Sequence, residues 1–174
     1  ALNDRAEYKK AAKVFKKLLE TNPSYEEARL QYAFTLDSLK KYSELDAQLE
    51  ILLEQNPKNA PALNLYAYSL AQRNTRLADA QEYIARALAM YPDENAFIDT
   101  QAWIYFRQGK YQQSAELLSV LSPEFVKANP DIAYHWGAVL YELGDYEKAR
   151  PYLQSARESI QEADKLYKKL PKQK

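Results

Sequence analysis

Apolar residues recur at helical spacing along almost the whole chain, and the pattern breaks at regular intervals. Between the breaks they fall at i, i+3, i+4 and i+7, which lines one face of an α-helix. The pattern predicts helices over about 4–21, 25–39, 42–55, 60–73, 76–90, 95–108, 111–121, 131–143 and 146–160. A final covering helix follows from Gln161 to Leu170, carried by Ala163, Leu166, Tyr167 and Leu170. The breaks themselves carry helix-start chemistry. Asn22-Pro23-Ser24 supplies Ser24 and Glu27 at capping-box spacing, and Pro61 suits a first helical turn. Pro23, Pro57, Pro92 and Pro130 are separated by 34, 35 and 38 residues, with the extra segment Ser122–Lys127 accounting for the longer interval. A period this constant marks a repeat in which each unit is one helical hairpin.

The units can be laid over one another. The first helix of each carries a small residue at Ala33, Ala67, Ala102 and Gly137. The second helix repeats as Tyr8, Ala11, Phe15, Leu18, Pro23, then Tyr42, Leu45, Leu49, Leu52, Pro57, then Leu77, Ala80, Ile84, Ala87, Pro92. Tyr111, Ser114, Leu118, Leu121 and then Tyr146, Ala149, Leu153, Ala156 complete the set. Gly109 and Gly144 stand at the turn inside a unit, and Gly137 at the close contact of its two helices. Leu45 replaces a small residue, which predicts wider helix spacing in that unit. Pro151 lies beyond the first turn of its helix and predicts a lost hydrogen bond and a local bend.

These residues resemble the tetratricopeptide repeat (TPR) family over nearly the whole chain. The resemblance implies an all-α fold, a right-handed α-solenoid of stacked hairpins. It divides the chain, as one domain, into a half-unit helix at 1–22, repeats at about 23–57, 58–92, 93–127 and 128–160, and a capping segment at 161–174. The family's first helices line a concave groove. The stripe expected to face it reads Leu30, Phe34, Asp37; Asn64, Tyr68, Ala71; Asp99, Trp103, Phe106; and Tyr134, Ala138, Tyr141. Aromatic side chains left on a solvent face mark a binding surface. The expected partner-binding residues are Leu30, Phe34, Asn64, Tyr68, Asp99, Trp103, Phe106, Arg107, Tyr134 and Tyr141. The alternative is that these side chains only pack between first helices, or that the C-terminal segment covers them. Family members that grip a C-terminal carboxylate place Lys and Asn in this groove; here only Asn64 fits, with Arg107 nearby. An apolar or aromatic-bearing peptide, or a helix, is the better match.

Composition removes several functions. Basic and acidic residues number 24 each, so no net field argues for nucleic acid. There is no cysteine, which excludes disulfides, thiolate catalysis and Cys-based zinc sites. His135 is the sole histidine and reads as a packed or capping residue, not a metal ligand or a triad member. No cofactor is expected, and the expected class is a non-enzymatic scaffold for a protein or peptide partner, with self-association as the alternative. No apolar run approaches the roughly 20 residues of a membrane-spanning helix. Lys9, Lys10, Lys13, Lys16 and Lys17 form a basic face on the first helix that reads as solvated charge.

The C-terminal third also resembles a subgroup of bacterial outer-membrane-attached or periplasmic TPR lipoproteins, through Asp99, Thr100, Trp103, Arg107, Gly109 and Ala115, then His135, Gly137, Gly144 and Ala149. Ala138 departs from that subgroup, which commonly has Asp there. The resemblance implies a role at the bacterial envelope, with any lipid anchor outside these residues; a cytoplasmic location is the alternative. Ala1 falls inside a helical pattern, which reads as an excised fragment or a mature form.

Overall fold

A computed structural model describes the backbone of residues 2–172 and the side chains of residues 5–172. The described residues form eleven helices and no strand. In order these are α1 (Leu2–Thr21), α2 (Glu26–Ser38), α3 (Tyr42–Gln55), α4 (Ala60–Gln72), α5 (Leu77–Met90), α6 (Asn95–Arg107), α7 (Tyr111–Leu118), α8 (Pro123–Ala128), α9 (Pro130–Glu142), α10 (Tyr146–Ala156) and α11 (Gln161–Tyr167). The chain divides into two compact units, one ending at Tyr91 and the other starting at Pro92.

Four hairpins, α2–α3, α4–α5, α6–α7 and α9–α10, turn by the same device. Lys40, Asn74, Gly109 and Gly144 each take a positive φ, between 53° and 80°. The next residue's N–H then reaches back to close the helix end: Lys41 to the Leu36 carbonyl, Thr75 to Leu70, Lys110 to Tyr105, and Asp145 to Leu140. This left-handed cap satisfies carbonyls that the helix end would otherwise orphan. Glycine supplies that conformation at little cost, so Gly109 and Gly144 were legible as turns. Lys40 and Asn74 adopt it as well, against their Cβ. The residue added in the α4–α5 turn is absorbed by a second positive φ, 48° at Arg76.

In unit 1, α2 packs on both α1 and α3, and α4 packs on α5. Leu36, Leu45, Leu49, Leu52, Leu63, Tyr66, Leu70 and Ile84 are fully buried there. The predicted Ser24–Glu27 capping box does not form: α2 starts one residue later, with Tyr25 at the cap and no side-chain cap bond. Glu26 accepts instead from the Asn56 side chain, at 2.8 Å, which draws the start of α2 to the end of α3. Asn59 does cap α4, accepting from the Ala62 N–H at 3.0 Å.

In unit 2, α6 pairs with α7, and α9 pairs with α10. Gly137 sits where α9 meets α10, and a Cβ there would stand 2.6 Å from Leu153 Cγ. The inserted segment forms a helix, α8, which the periodicity did not predict. Ser122 caps it by accepting from the Phe125 N–H, Pro123 occupies its first position, and Val126 is buried against the core. Helix α7 stops at Leu118, yet Leu121 stays buried. Helix α10 continues through Pro151. Helix α11 packs on α9 and α10, with Ala163 fully buried and Leu170 buried just beyond its end.

Candidate functional site

The first helices carry the expected binding stripe, and its members divide into buried and accessible sets. In unit 1, Phe34 on α2 is 43% exposed, whereas Leu30, one turn earlier, is buried. Asn64 and Tyr68 on α4 are half-buried. The Tyr68 hydroxyl accepts from the Gln72 side chain at 2.5 Å. The Asn64 side-chain oxygen is buried without a hydrogen-bond partner among the described residues. Asp37, also on the stripe, has its carboxyl pushed above the usual range by burial.

In unit 2 the stripe runs along α6 and α9, and here the expected exposure is corrected. Trp103 is only 1% exposed and Asp99 is buried, as is Ala138. The cause is the packing of α6 on α9, which turns this side of α6 toward its neighbour. The indole of Trp103 stacks on His135 at 4.0 Å between centroids and on Phe106 at 4.6 Å. Tyr134 meets the same indole at a tilt, 5.6 Å away, and the Arg107 guanidinium lies 5.7 Å from its centre. Phe106, Arg107, Tyr134 and Tyr141 remain half-buried around this floor. Burial, reinforced by the negative charge of Glu162, raises the Tyr134 hydroxyl above its ordinary value. Tyr141 leans on Tyr146 at 5.3 Å.

Beneath the stripe lies a contact that periodicity did not predict. His135 Nδ1 donates to the Asp99 carboxylate, 2.9 and 3.0 Å from its two oxygens. The residues stand 36 positions apart, close to one repeat, and that spacing is the signal that could have paired them. His135 is 0% exposed under the Trp103 ring. The packed-histidine reading therefore describes the observed environment of this imidazole. The pair ties α6 to α9 with a buried polar bond, which fixes how the two first helices sit together.

On another side of unit 1, a cleft of about 470 Å³ lies between α1 and α3. Leu19 and Tyr32 floor it, while Lys16, Arg29 and Glu44 wall it. Its arginine is already engaged, donating to the Gln48 side chain and to the Pro23 carbonyl. Glu44 is likewise held by Lys41 at 2.6 Å. Among the described residues no cluster of three or more His, Cys, Asp or Glu could hold a metal ion. No helix among them is long and apolar enough to cross a membrane.

A repeating helical hairpin with a shared turn defines a helical-repeat architecture. Two tetratricopeptide-repeat family models match, over residues 54–168 and 2–67, and the chain belongs to the tetratricopeptide repeat family. It is 32% identical over 120 residues to a TPR repeat-containing protein of Pseudomonas aeruginosa, covering 68% of this chain. The matched stretch spans 20% of that relative's length. Among solved structures, a tetratricopeptide repeat protein from Parabacteroides merdae superposes with a TM-score of 0.76 at 18% identity, over 95% of this chain and 65% of the other. PilW, a type IV pilus biogenesis factor, gives 0.74 at 21%, over 88% and 70%. YrrB, a TPR protein with an unusual peptide-binding site, gives 0.62 at 15%, over 90% and 81%. These likenesses show the fold. Proteins of this fold generally serve as scaffolds for other proteins.

Proposed function

We propose that this protein is a non-catalytic scaffold that binds an extended peptide or a helix of a protein partner on the faces of its first helices. The residues in contact are Phe106, Arg107, Tyr134 and Tyr141 in unit 2; Phe34, Asn64 and Tyr68 form a separate first-helix face within unit 1. Trp103 lies beneath the unit 2 set, packed on Phe106 and Tyr134, and Asp99 holds His135 under it, while Leu30 is buried in unit 1. The observation that carries this reading is the half-buried aromatic cluster around Trp103. Rings held rigidly by a packed floor offer large contact area with little side-chain entropy left to lose. Arg107 beside them adds a fixed donor. The reading extends to recruitment or assembly at the bacterial envelope. That extension draws on the lipoprotein-like pattern around Asp99–Ala149 and on PilW, a type IV pilus biogenesis factor.

The test is peptide selection on the immobilised protein, followed by affinity measurement on variants. Phe106→Ala and Tyr141→Ala should each weaken the selected peptides by tenfold or more, while Val120→Ala, on an exposed surface, leaves them unchanged. Equal affinity for all three variants, with native circular dichroism, refutes the site.

A further inference from the structure

The four first helices can be compared position by position, and one column of the stripe holds an outlier. Asp37 on α2 stands where the later units carry Ala71, Phe106 and Tyr141. The repeat therefore accepts apolar side chains at this position and has no structural need of a carboxylate. Asp37 is nonetheless half-buried, and burial is the main cause that holds its carboxyl above the usual range. A charge drawn out of water costs stability unless a counter-charge meets it.

The described residues of unit 1 supply no such counter-charge. Arg73, Asp46 and Lys40 act on Asp37 through their charge, but none closes an ion pair with it. Arg73 is committed elsewhere. Its guanidinium donates to both Asp46 oxygens, at 3.0 and 2.8 Å, and to the Ser69 carbonyl at 3.1 Å, and it lies over the Tyr42 ring. Lys40 is exposed in the turn beyond the end of α2. The Ser69 hydroxyl on α4 lies alongside Asp37, fully buried and without completing a hydrogen bond. One hydroxyl donor beside two carboxylate oxygens leaves this notch short of donors.

The second feature is Phe34, 43% exposed and three residues before Asp37 on the same helix. Residues at that spacing are neighbours on a helix surface, with Cβ atoms about 5–6 Å apart. An accessible ring and a desolvated carboxylate thus stand side by side. That combination suits a guanidinium better than an ammonium. A guanidinium is flat, weakly hydrated, stacks on an aromatic ring and still gives a carboxylate two parallel hydrogen bonds. An ammonium is a compact, strongly hydrated point charge.

We propose that Asp37 and Phe34 form a subsite for one arginine side chain of an extended peptide partner. The guanidinium stacks on Phe34 and pairs with the Asp37 carboxylate. Binding then offsets the cost of the buried charge, because the ligand brings the counter-charge that the fold omits. The subsite rests on the peptide-binding reading of the first-helix faces and names the side chain that unit 1 selects. It uses no residue of the Trp103 cluster.

The test titrates the isotope-labelled intact chain with two synthetic pentapeptides and follows its amide NMR shifts. One is acetyl-Leu-Ala-Arg-Ala-Leu-amide; the other has citrulline for arginine, which keeps the shape and removes the charge. Shifts at Phe34, Asp37 and Ser38 should show the arginine peptide binding tenfold or more tightly. Asp37→Asn should abolish that preference. Phe34→Leu should weaken the arginine peptide threefold or more, with native circular dichroism in both variants. Equal affinity of the two peptides, or a preference that survives Asp37→Asn, overturns the subsite. So does the absence of shifts at Phe34 and Asp37 with either peptide. The affinities of Phe106→Ala and Tyr141→Ala for selected peptides judge the unit 2 site separately, so the two readings fail by different measurements.

Discussion

Replacing Gly137 by alanine sets two effects of known size against each other. Glycine inside a helix is worse than alanine by roughly 0.5–1 kcal/mol, so at an open helical position the change stabilises. Gly137 lies in the middle of α9, but its position is not open. A Cβ there would stand 2.6 Å from Leu153 Cγ, 2.7 Å from Cδ2 and 3.3 Å from the Leu153 backbone nitrogen. Leu153 is fully buried, so its side chain cannot swing into solvent to relieve the overlap. Overpacking of this kind costs about 1–3 kcal/mol, and the balance is a loss of about 1 kcal/mol. Both tryptophans, Trp103 and Trp136, belong to unit 2, so urea unfolding followed by their fluorescence reads the half that contains the change. With a slope of about 1–3 kcal/mol per molar, the midpoint should fall by roughly 0.3–1 M. Leu153→Ala supplies the second arm of a cycle. Alone it costs about 2–5 kcal/mol. Combined with Gly137→Ala it should cost less than the sum by about 1–2 kcal/mol, since the added methyl fills part of the vacated space. A higher midpoint for Gly137→Ala, or additivity of the two changes, refutes the close contact between α9 and α10.

Three further outcomes are expected. Asp99→Ala removes the partner of the buried His135 Nδ1 and should cost about 3 kcal/mol in the same fluorescence assay; a change under about 0.5 kcal/mol would show that the bond does not hold α6 to α9. Pro151 is exposed inside α10, where proline removes a helical hydrogen bond, so Pro151→Ala should stabilise by about 2 kcal/mol and raise the melting temperature; a lower one contradicts this. Burial raises the folded-state pKa of Asp37 above its unfolded value, so stability falls as pH rises between those two values and the cost persists above them. Asp37→Asn should therefore gain stability relative to wild type at pH 7 and lose that advantage near pH 3, as read by urea midpoints at each pH; an advantage that grows as pH falls reverses the sign and rejects the assignment.

The repeat was written openly in the chain because each hairpin solves the same local problem. Small residues, a bulky second-helix set and turn glycines recur at one spacing, and helix periodicity located every long helix. Other features were hidden for local reasons. Lys40 has a Cβ and carries no turn signal, yet it adopts the left-handed cap because the packed helices on either side demand a reversal there. Helix α8 is too short for periodicity, and only Ser122-Pro123 marks it. Ser24 and Glu27 had capping-box spacing, but Glu26 is engaged by Asn56, 30 residues away.

The amino-acid sequence by itself determined the helical hairpin, its period, and which residues stand on the first-helix stripe. Those follow from local propensity and from the 3.6-residue turn of the helix, which act within a few residues of one another. Only the tertiary structure decided which members of that stripe face solvent. Phe34 and Trp103 hold the same repeat position, yet one is exposed and the other lies sealed against His135 and Phe106. Burial depends on what the neighbouring helix presents, here the Asp99–His135 bond drawing α9 over α6.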